Sequence, residues 1–279
     1  MLELRPDEIH LWQAFPDSDP HPALREEYGV LLSAEERERE ARFRFEHDRH
    51  RFRVTRALAR QVLGGYLGID PRACEFTANE HGRPALAGSG AGGGAGGGGG
   101  AGAGAGETGE AASGRAGPLQ FNLSHTRDLV VLAVTRGREI GVDVERLRGA
   151  RRTVDLAARF FADFESERVA NASEPERDDL FYQFWTLKES YIKARGLGLA
   201  IPLGKFGFRL AAESPVLWTH ADLGDDAGRW AFVQLKPTPE HRLAICVSRG
   251  PGPAPTLVVR DFARLALGAH CGSPSHPAA

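Results

Sequence analysis

The sequence predicts an α+β fold made of two similar halves, because the order strand, helices, strands occurs twice along its 279 residues. In the first half, residues 9–14 predict a strand, and a helical apolar stripe further on ends at Gly68. In the second half, a strand around Asp143 precedes helices that end near Gly196. A chain of this length, 42% hydrophobic, can bury a full core.

Local signals define the elements of the first half, residues 1–137. Ser33 and Glu36 have the spacing of a capping box, which predicts the start of a helix. The next helix carries an apolar stripe of Phe52, Leu58, Val62, Leu63 and Tyr66. Short apolar segments at 74–77, 119–123 and 129–134 are bounded by turn residues and predict strands.

The second half, residues 138–270, begins with a strand in which apolar residues alternate with small or polar ones: Ile140, Val142 and Val144. Ser173 and Glu176 predict a capping box at the start of a long helix, and Gly196 is typical of its end. The apolar stripe of this helix is Leu180, Phe184, Leu187 and Tyr191. Strands are predicted at 206–210, 230–235 and 243–247.

Residues 88–117 are predicted to form a flexible surface insertion, and residues 271–279 a disordered tail. The segment 88–106 is almost entirely glycine and alanine, which lose much backbone entropy on ordering and bury nothing in return. A glycine-rich phosphate loop is the alternative. That motif needs a strand before it, a helix after it and a Lys-Ser/Thr pair, and the sequence has none of these there.

Composition excludes several classes of protein. A net charge of −2 and a pI near 6.6 argue against nucleic-acid binding. Arginines are nevertheless concentrated between residues 37 and 60. They form either a solvated helix face or a surface for an anionic ligand or an acidic protein. The three cysteines have unrelated spacings and predict reduced thiols. There is no apolar run of 18 residues and no signal-peptide pattern, so we expect a cytoplasmic protein without membrane association.

Three carboxylates are candidates for a metal site. On the predicted strand, Asp143 and Glu145 share one face, roughly 7 Å apart. On the predicted helix, Glu189 and Lys193 share a face with Trp185. Mg²⁺ prefers oxygen ligands and completes its shell with water and phosphates, so the set predicts phosphate chemistry. Taken singly, an Asp-x-Glu at a strand end is most often solvated surface, and Glu189 with Lys193 is more often an exposed helix pair.

Four motifs in a fixed order strengthen this interpretation. They are Asn-Glu-His-Gly-Arg-Pro at 79–84, Phe-Asn-Leu-Ser-His at 121–125, Gly-Val-Asp-Val-Glu at 141–145 and Trp-Thr-Leu-Lys-Glu-Ser-Tyr-Ile-Lys at 185–193. Together they resemble the Sfp-type 4'-phosphopantetheinyl transferases over about residues 31–247. The resemblance implies the fold of that family, two pseudo-symmetric α+β halves.

The resemblance also implies roles for individual residues. It makes Asp143, Glu145 and Glu189 the ligands of Mg²⁺, with Mn²⁺ as an alternative, and it makes Lys193 a phosphate contact. It assigns the coenzyme A nucleotide and its 3'-phosphate to Ser124, His125, Arg39 and Arg83. Arg39 and Arg83 stand where the family more often has lysine, and a planar guanidinium is not equivalent to an ammonium group.

The implied reaction is Mg²⁺-dependent transfer of 4'-phosphopantetheine from coenzyme A to a serine of an apo acyl or peptidyl carrier protein, with release of 3',5'-ADP. Glu189 is the candidate base, with a metal-bound water as its rival. Lys193 or Lys188 would offset charge on the leaving group. We expect a monomer. The carrier protein and its pathway stay open, lysine biosynthesis via aminoadipate and secondary metabolism included.

Two other classes use some of the same residues. A Mg²⁺-dependent phosphohydrolase would need the three carboxylates and would release phosphate from coenzyme A without a carrier protein. A non-catalytic binder of nucleotides or carrier proteins would keep the arginine-rich helix and tolerate the loss of Glu189. The two differ from the transferase in what they do with coenzyme A, so an assay separates them.

Overall fold

The computed structural model describes residues 1–18, 22–87, 117–149, 152–211, 214–250 and 255–268, and these form an α+β fold, as predicted. The predicted insertion at 88–117, apart from its last residue, and the predicted tail at 271–279 lie outside the described residues. Of the helices in these ranges, none combines the length and the apolar character needed to span a lipid bilayer.

Two helices of 22 residues are the longest elements of the described ranges. The strands are β1 (Glu8–Ala14), β2 (Phe76–Ala78), β3 (Pro84–Leu86), β4 (Leu119–His125), β5 (Val130–Arg136), β6 (Ile140–Arg146), β7 (Phe206–Arg209), β8 (Val216–Thr219), β9 (Trp230–Leu235), β10 (His241–Ser248) and β11 (Thr256–Asp261). The helices are α1 (Pro22–Val30), α2 (Ala34–Ala41), α3 (Glu46–Leu67), α4 (Thr153–Phe160), α5 (Asp163–Asn171), α6 (Glu174–Arg195) and α7 (Phe262–Gly268).

The two halves repeat one order of elements: a strand, helices that end in a 22-residue helix, a two-stranded hairpin and two further strands. In the first half the strand order is β1-β5-β4, with α3 as the long helix. In the second half it is β6-β10-β9, with α6 as the long helix. All pairs within these two triplets are antiparallel. The predicted pseudo-symmetry is therefore confirmed in the topology.

The strand β11 breaks this symmetry. It runs parallel to the outer edge of β1, from Glu8 opposite Thr256 to Gln13 opposite Asp261. The helix α7 follows, and its buried Phe262 stacks on the ring of Tyr28 with centroids 5.8 Å apart. β11 thereby covers an edge of the first sheet that would otherwise present unpaired backbone groups.

Buried apolar side chains form three clusters. One lies between α3 and the first sheet, one between α6 and the second sheet, and the third joins the two sheets. The third cluster consists of Ile9, Leu11, Leu129, Val131, Ala133, Ile140, Val142, Val144, Leu243, Ile245 and Val247. Each buried Leu, Ile or Val contributes about 1.5–3 kcal/mol. This shared cluster, to which β6 contributes three residues, holds the two halves together next to the contact between β4 and β6.

The helix α6 lies directly against β6 because Gly141 has no side chain. A Cβ atom at this position would stand 2.0 Å from the carbonyl oxygen of Ser190 and 2.4 Å from the amide nitrogen of Ala194. Any other residue would push the helix away from the strand. The helix ends at Gly196, whose φ of 66° lies in the left-handed region, as the sequence predicted.

The two predicted capping boxes have different outcomes. At the start of α2, the Ser33 hydroxyl accepts the Glu36 N–H and the Glu36 carboxylate accepts the Ser33 N–H, so this box is confirmed. At the start of α6, the Ser173 side chain makes no capping bond and its hydroxyl donates to the Glu176 carboxylate at 2.8 Å. The second prediction is wrong because this side-chain bond replaces the bond to the backbone.

Candidate active site

The candidate site lies at the seam, by which we mean the contact between β4 and β6 where the two halves meet. These two strands belong to different sheets in the described part of the chain. Side chains of β4 link them: the Asn122 carboxamide oxygen accepts the Val142 N–H at 2.9 Å, and the Ser124 hydroxyl oxygen accepts the Val144 N–H at 3.3 Å. Buried backbone N–H groups need such partners. The seam is thus joined by side chains.

Asp143 is the centre of the polar contacts at the seam, and it is only 5% exposed. Its Oδ1 atom accepts from the Lys193 Nζ at 2.7 Å and from the Ser124 hydroxyl at 3.0 Å. Lys193 also donates to Ser124 at 3.1 Å and to the Val142 carbonyl at 3.2 Å. The Asp143 Oδ2 atom is buried and has no hydrogen-bond partner among the described residues. A buried carboxylate oxygen without a partner is uncommon, which makes this atom a candidate ligand position.

Glu145 and Glu189 flank Asp143 and are both half-buried. Burial raises the pKa of Glu145 to about 7, and the nearby charge of Asp143 acts in the same direction. Burial, followed by the charge of Asp143, also raises the pKa of Glu189. Two half-buried acids whose pKa values are raised beside a third carboxylate are a costly arrangement for stability, so a functional role is the better explanation.

These three carboxylates do not form a ready-made metal cluster. Within the described ranges, no group of three or more His, Cys, Asp or Glu side chains is arranged to hold a metal ion. Two observations nevertheless fit a hard divalent cation: the unpartnered Asp143 Oδ2 atom and the mutual repulsion of the acids. A cation bound to carboxylate oxygens would satisfy the first and relieve the second.

Two clefts open on either side of the seam. The wide cleft, about 930 Å³, is lined by His47, Arg51, His125, Thr126, Arg127, Glu145, Arg146, Leu147, Arg148 and Glu240. The narrow cleft, about 280 Å³, is lined by His81, Gly82, Arg83, Pro84, Asn122, Leu123, Glu189, Ile192, Lys193, Gly196 and Gly198. Glu145 thus faces the first and Glu189 the second. The acidic residues at the seam therefore lie between the wide cleft, which is rich in basic residues, and the narrow cleft.

Comparison with known proteins identifies the family. The profile of the 4'-phosphopantetheinyl transferase superfamily matches residues 139–246, which contain β6 and α6. The 4'-phosphopantetheinyl transferase HetI of Nostoc sp. is 33% identical over 247 residues, which are 88% of this chain and 90% of that protein. This chain belongs to the 4'-phosphopantetheinyl transferase family.

Other relatives agree. The phosphopantetheinyl transferase of Thraustochytrium sp. is 30% identical over 239 residues, covering 82% of this chain and 74% of its own. The 4'-phosphopantetheinyl transferase Sfp of Bacillus subtilis is 26% identical over 223 residues, covering 80% and 85%. The predicted family and the predicted class of enzyme, a transferase, are confirmed.

In this 4'-phosphopantetheinyl transferase the predicted nucleotide contacts lie in different surroundings. His125 is exposed in the wide cleft, and its pKa is lowered by desolvation and then by the charges of Arg51 and Lys193. Arg39 is also exposed and has no acidic partner among the described residues. Burial lowers the pKa of the nearby Arg56 guanidinium, and the charge of Arg39 acts in the same direction, against that of Glu36. We call Arg39, Arg56, Arg51 and His125 the row of basic groups, of which Arg51 and His125 line the wide cleft. Two of the four are paired with acids, Arg51 with Asp48 at 2.6 Å and Arg56 with Glu36 at 3.5 Å.

Ser124 and Arg83 are occupied by contacts within the protein. The Ser124 hydroxyl is shared among Asp143, Lys193 and a backbone N–H of β6. The Arg83 guanidinium donates to the carbonyl oxygens of Ala194 at 2.7 Å and Ile140 at 3.0 Å. Both residues line or adjoin the clefts, but their polar atoms hold the second half of the transferase in place.

The structure does not bring Lys188 to the site. Lys188 is 1% exposed, and its Nζ atom lies 2.7 Å from the Glu165 carboxylate and donates to the carbonyl oxygens of Leu203 at 3.0 Å and Phe206 at 2.6 Å. Consecutive helical residues point about 100° apart, so Lys188 faces the core while Glu189 faces the narrow cleft. The predicted role of Lys188 at the leaving group is incompatible with this position.

Glu165 and Asn122 support the site in ways that the sequence did not predict. Glu165 is fully buried. Besides Lys188, it accepts the N–H groups of Phe208 at 2.7 Å and Ala162 at 3.0 Å. The sequence marks Asn122 only as part of a motif. In β4, apolar residues alternate with Gln120, Asn122 and Ser124, and this row of polar side chains on one strand face is the signal that could have singled it out.

Proposed function

We propose that this transferase moves the 4'-phosphopantetheine group of coenzyme A to a serine of an apo acyl or peptidyl carrier protein and releases 3',5'-ADP. The observation that carries the proposal is the seam, where Asp143, Glu145, Glu189 and Lys193 stand between a basic cleft and a second cleft. The relatives, which are named as phosphopantetheinyl transferases, support it.

Asp143, Glu145 and Glu189 would hold the divalent cation, Mg²⁺ or Mn²⁺. When bound, the cation supplies positive charge that neutralises and orients the pyrophosphate of coenzyme A. The protein keeps its most buried ligand in one orientation, since the Ser124 hydroxyl and Lys193 both hold the Asp143 Oδ1 atom. This leaves the Oδ2 atom free to bind.

Lys193 and Glu189 have complementary roles in this proposal. Lys193 is 27% exposed in its side chain and lines the narrow cleft, so its ammonium group can offset negative charge on the phosphates while it stays near Asp143. Glu189 lies one helical turn before it and opens on the same cleft. Its carboxylate is our candidate for taking the proton of the attacking serine hydroxyl.

The nucleotide end of coenzyme A would lie along the row of basic groups. His125 and Arg39 are proposed to contact the 3'-phosphate, with Arg51 and Arg56 contributing to the field between them. An anion bound there gains charge-assisted hydrogen bonds, each worth about 1.5–3 kcal/mol.

The test is an assay on the full chain with coenzyme A, Mg²⁺ and a panel of apo-carrier proteins. Intact-mass measurement should show one phosphopantetheine group added to a carrier protein, and a carrier protein whose acceptor serine is replaced by alanine should gain nothing. Removal of divalent cations with a chelator should stop the reaction, and added Mg²⁺ should restore it. Release of phosphate from coenzyme A without any carrier protein would instead identify a phosphohydrolase.

A further inference from the structure

The turn between β2 and β3 is built by one side chain. The Asn79 carboxamide oxygen accepts the N–H groups of His81 at 3.0 Å and Arg83 at 2.8 Å. The backbone closes the same turn, with Asn79 N–H donating to the Arg83 carbonyl at 3.0 Å and Gly82 N–H donating to the Asn79 carbonyl at 2.9 Å. Gly82 has a φ of 80°, which favours glycine. This turn belongs to the first half and has a fixed shape.

The turn reaches across to the second half. The Asn79 carboxamide nitrogen donates to the Gly196 carbonyl at 2.9 Å, and the Arg83 guanidinium donates to the Ala194 carbonyl at 2.7 Å. The last carbonyl groups of a helix have no partner within the helix, and they carry the negative end of its dipole. Asn79 and Arg83 therefore supply donors and a positive charge where the end of α6 requires them.

The Arg83 guanidinium also ties α6 to β6. Its second nitrogen donates to the Ile140 carbonyl at 3.0 Å, at the start of the strand that carries Asp143. The contact is close-packed, since a Cβ atom at Gly196 would lie 3.2 Å from the guanidinium and one at Gly141 would collide with α6. A planar guanidinium can donate to two carbonyl groups of different elements, whereas an ammonium group acts as a single point charge.

We propose that Arg83, together with Asn79, is a positioning residue that fixes the end of α6 against β6, rather than a contact for the nucleotide. The inference rests on the proposed function, because the residues positioned are Lys193, which directly precedes Ala194, and Glu189, one turn earlier. Both must stay over Asp143 for the cation and the phosphates to meet them. Small displacements of catalytic groups are known to cost large factors in rate.

The kinetic test separates positioning from nucleotide binding. In Arg83→Lys, kcat should fall about tenfold, the change expected when one well-placed hydrogen bond is lost. The KM for coenzyme A and the preference for coenzyme A over dephospho-coenzyme A should stay as in the parent. A nucleotide contact predicts the reverse, a raised KM and a changed preference with kcat retained, and that result would overturn the inference.

A matched variant separates the clamp, meaning the bonds of Asn79 and Arg83 to the end of α6, from the turn itself. Asn79→Asp keeps the oxygen that accepts the two turn N–H groups but removes the donor to Gly196. Hydrogen exchange of the backbone amides at the end of α6 should speed up in Asn79→Asp and in Arg83→Lys. Arg72→Lys, an exposed residue of the same half paired with Asp70, is the control and should change neither exchange nor kcat.

The exchange measurement does not depend on catalysis. If the parent protein modifies no carrier protein but exchange at the end of α6 still responds to both variants, the proposed function fails and the clamp stands. Unchanged exchange in both variants, with normal unfolding temperatures, would overturn the clamp even if transfer is observed.

Discussion

Both halves have polar groups between their first strand and their long helix, but the hydrogen bonding of these groups differs. In the first half, the Tyr66 hydroxyl contacts the His10 Nδ1 atom at 2.5 Å and accepts the Trp12 indole N–H at 3.0 Å. In the second half, Asp143 lies between β6 and α6 with one oxygen unpartnered among the described residues. The first arrangement is closed on itself, and the second is open to a ligand.

Ionisation follows the same division. In the first half, desolvation raises the pKa of Tyr66 to about 12 and lowers the pKa of His10, so both groups stay neutral near pH 7. In the second half, Glu145 and Glu189 have raised pKa values because they are buried near another acid. A repeated scaffold can thus carry a structural cluster in one copy and a reactive one in the other.

The largest effect on stability should come from a polar group of the second half that is fully paired. Lys188→Met leaves the Glu165 carboxylate buried without its cation. Breaking such a pair costs about 3–5 kcal/mol, so the free energy of unfolding in urea should fall by that amount. The double variant Lys188→Met/Glu165→Gln should recover part of the loss. If Lys188→Met alone were as stable as the parent, the ion pair between Lys188 and Glu165 would not contribute to stability.

Asp143→Asn tests the open arrangement. Asparagine keeps an oxygen for Lys193 but cannot serve as an anionic ligand, so the transfer rate by intact mass should fall at least about a hundredfold. Stability should change less than in Lys188→Met, because Lys193 is 27% exposed in its side chain and keeps a neutral oxygen as its partner, while the repulsion of Asp143 on Glu145 and Glu189 is removed. Near-normal transfer at limiting Mg²⁺ would remove Asp143 from the metal site.

Tyr66→Phe is the matched change in the closed arrangement. It leaves the Trp12 indole N–H and a His10 ring nitrogen without the hydroxyl they share. A buried polar group without a partner costs about 1–3 kcal/mol, which should appear in the free energy of unfolding. The kcat for transfer should stay at the parental value. A loss of kcat with unchanged stability would mean that the first half takes part in catalysis.

The smallest effect concerns pH. Burial, followed by the charge of Arg260, lowers the pKa of His10 in the folded protein below its ordinary value of 6.5. As the pH falls, His10 is therefore protonated in the unfolded chain before it is protonated in the folded protein. The free energy of unfolding accordingly decreases as the pH drops below about 6.5. One such group contributes at most about 1.4 kcal/mol per pH unit. His10→Gln should flatten the fall between about pH 6.5 and 5, and an identical slope in both proteins would contradict this.

The fold and the acidic residues of the site could be predicted from the sequence, because both depend on local patterns. Alternation from Ile140 to Val144 predicts β6 and places Asp143 and Glu145 on one face. The positions of Lys188 and Arg83 depend instead on partners far along the chain. Arg83 bonds to a carbonyl 111 residues away, and no local pattern encodes which donor will meet which helix end.

The pairing of β1 with β11 has a consequence for the order in which the molecule can fold. His10 and Arg260, which contact each other across these strands, are 250 positions apart. Closing so long a loop is entropically costly and slow compared with forming local contacts. The strands β6, β9 and β10 pair with one another, so this part of the second half can fold before β11 covers the edge of β1. Until β11 pairs with it, that edge is exposed to pairing with other chains.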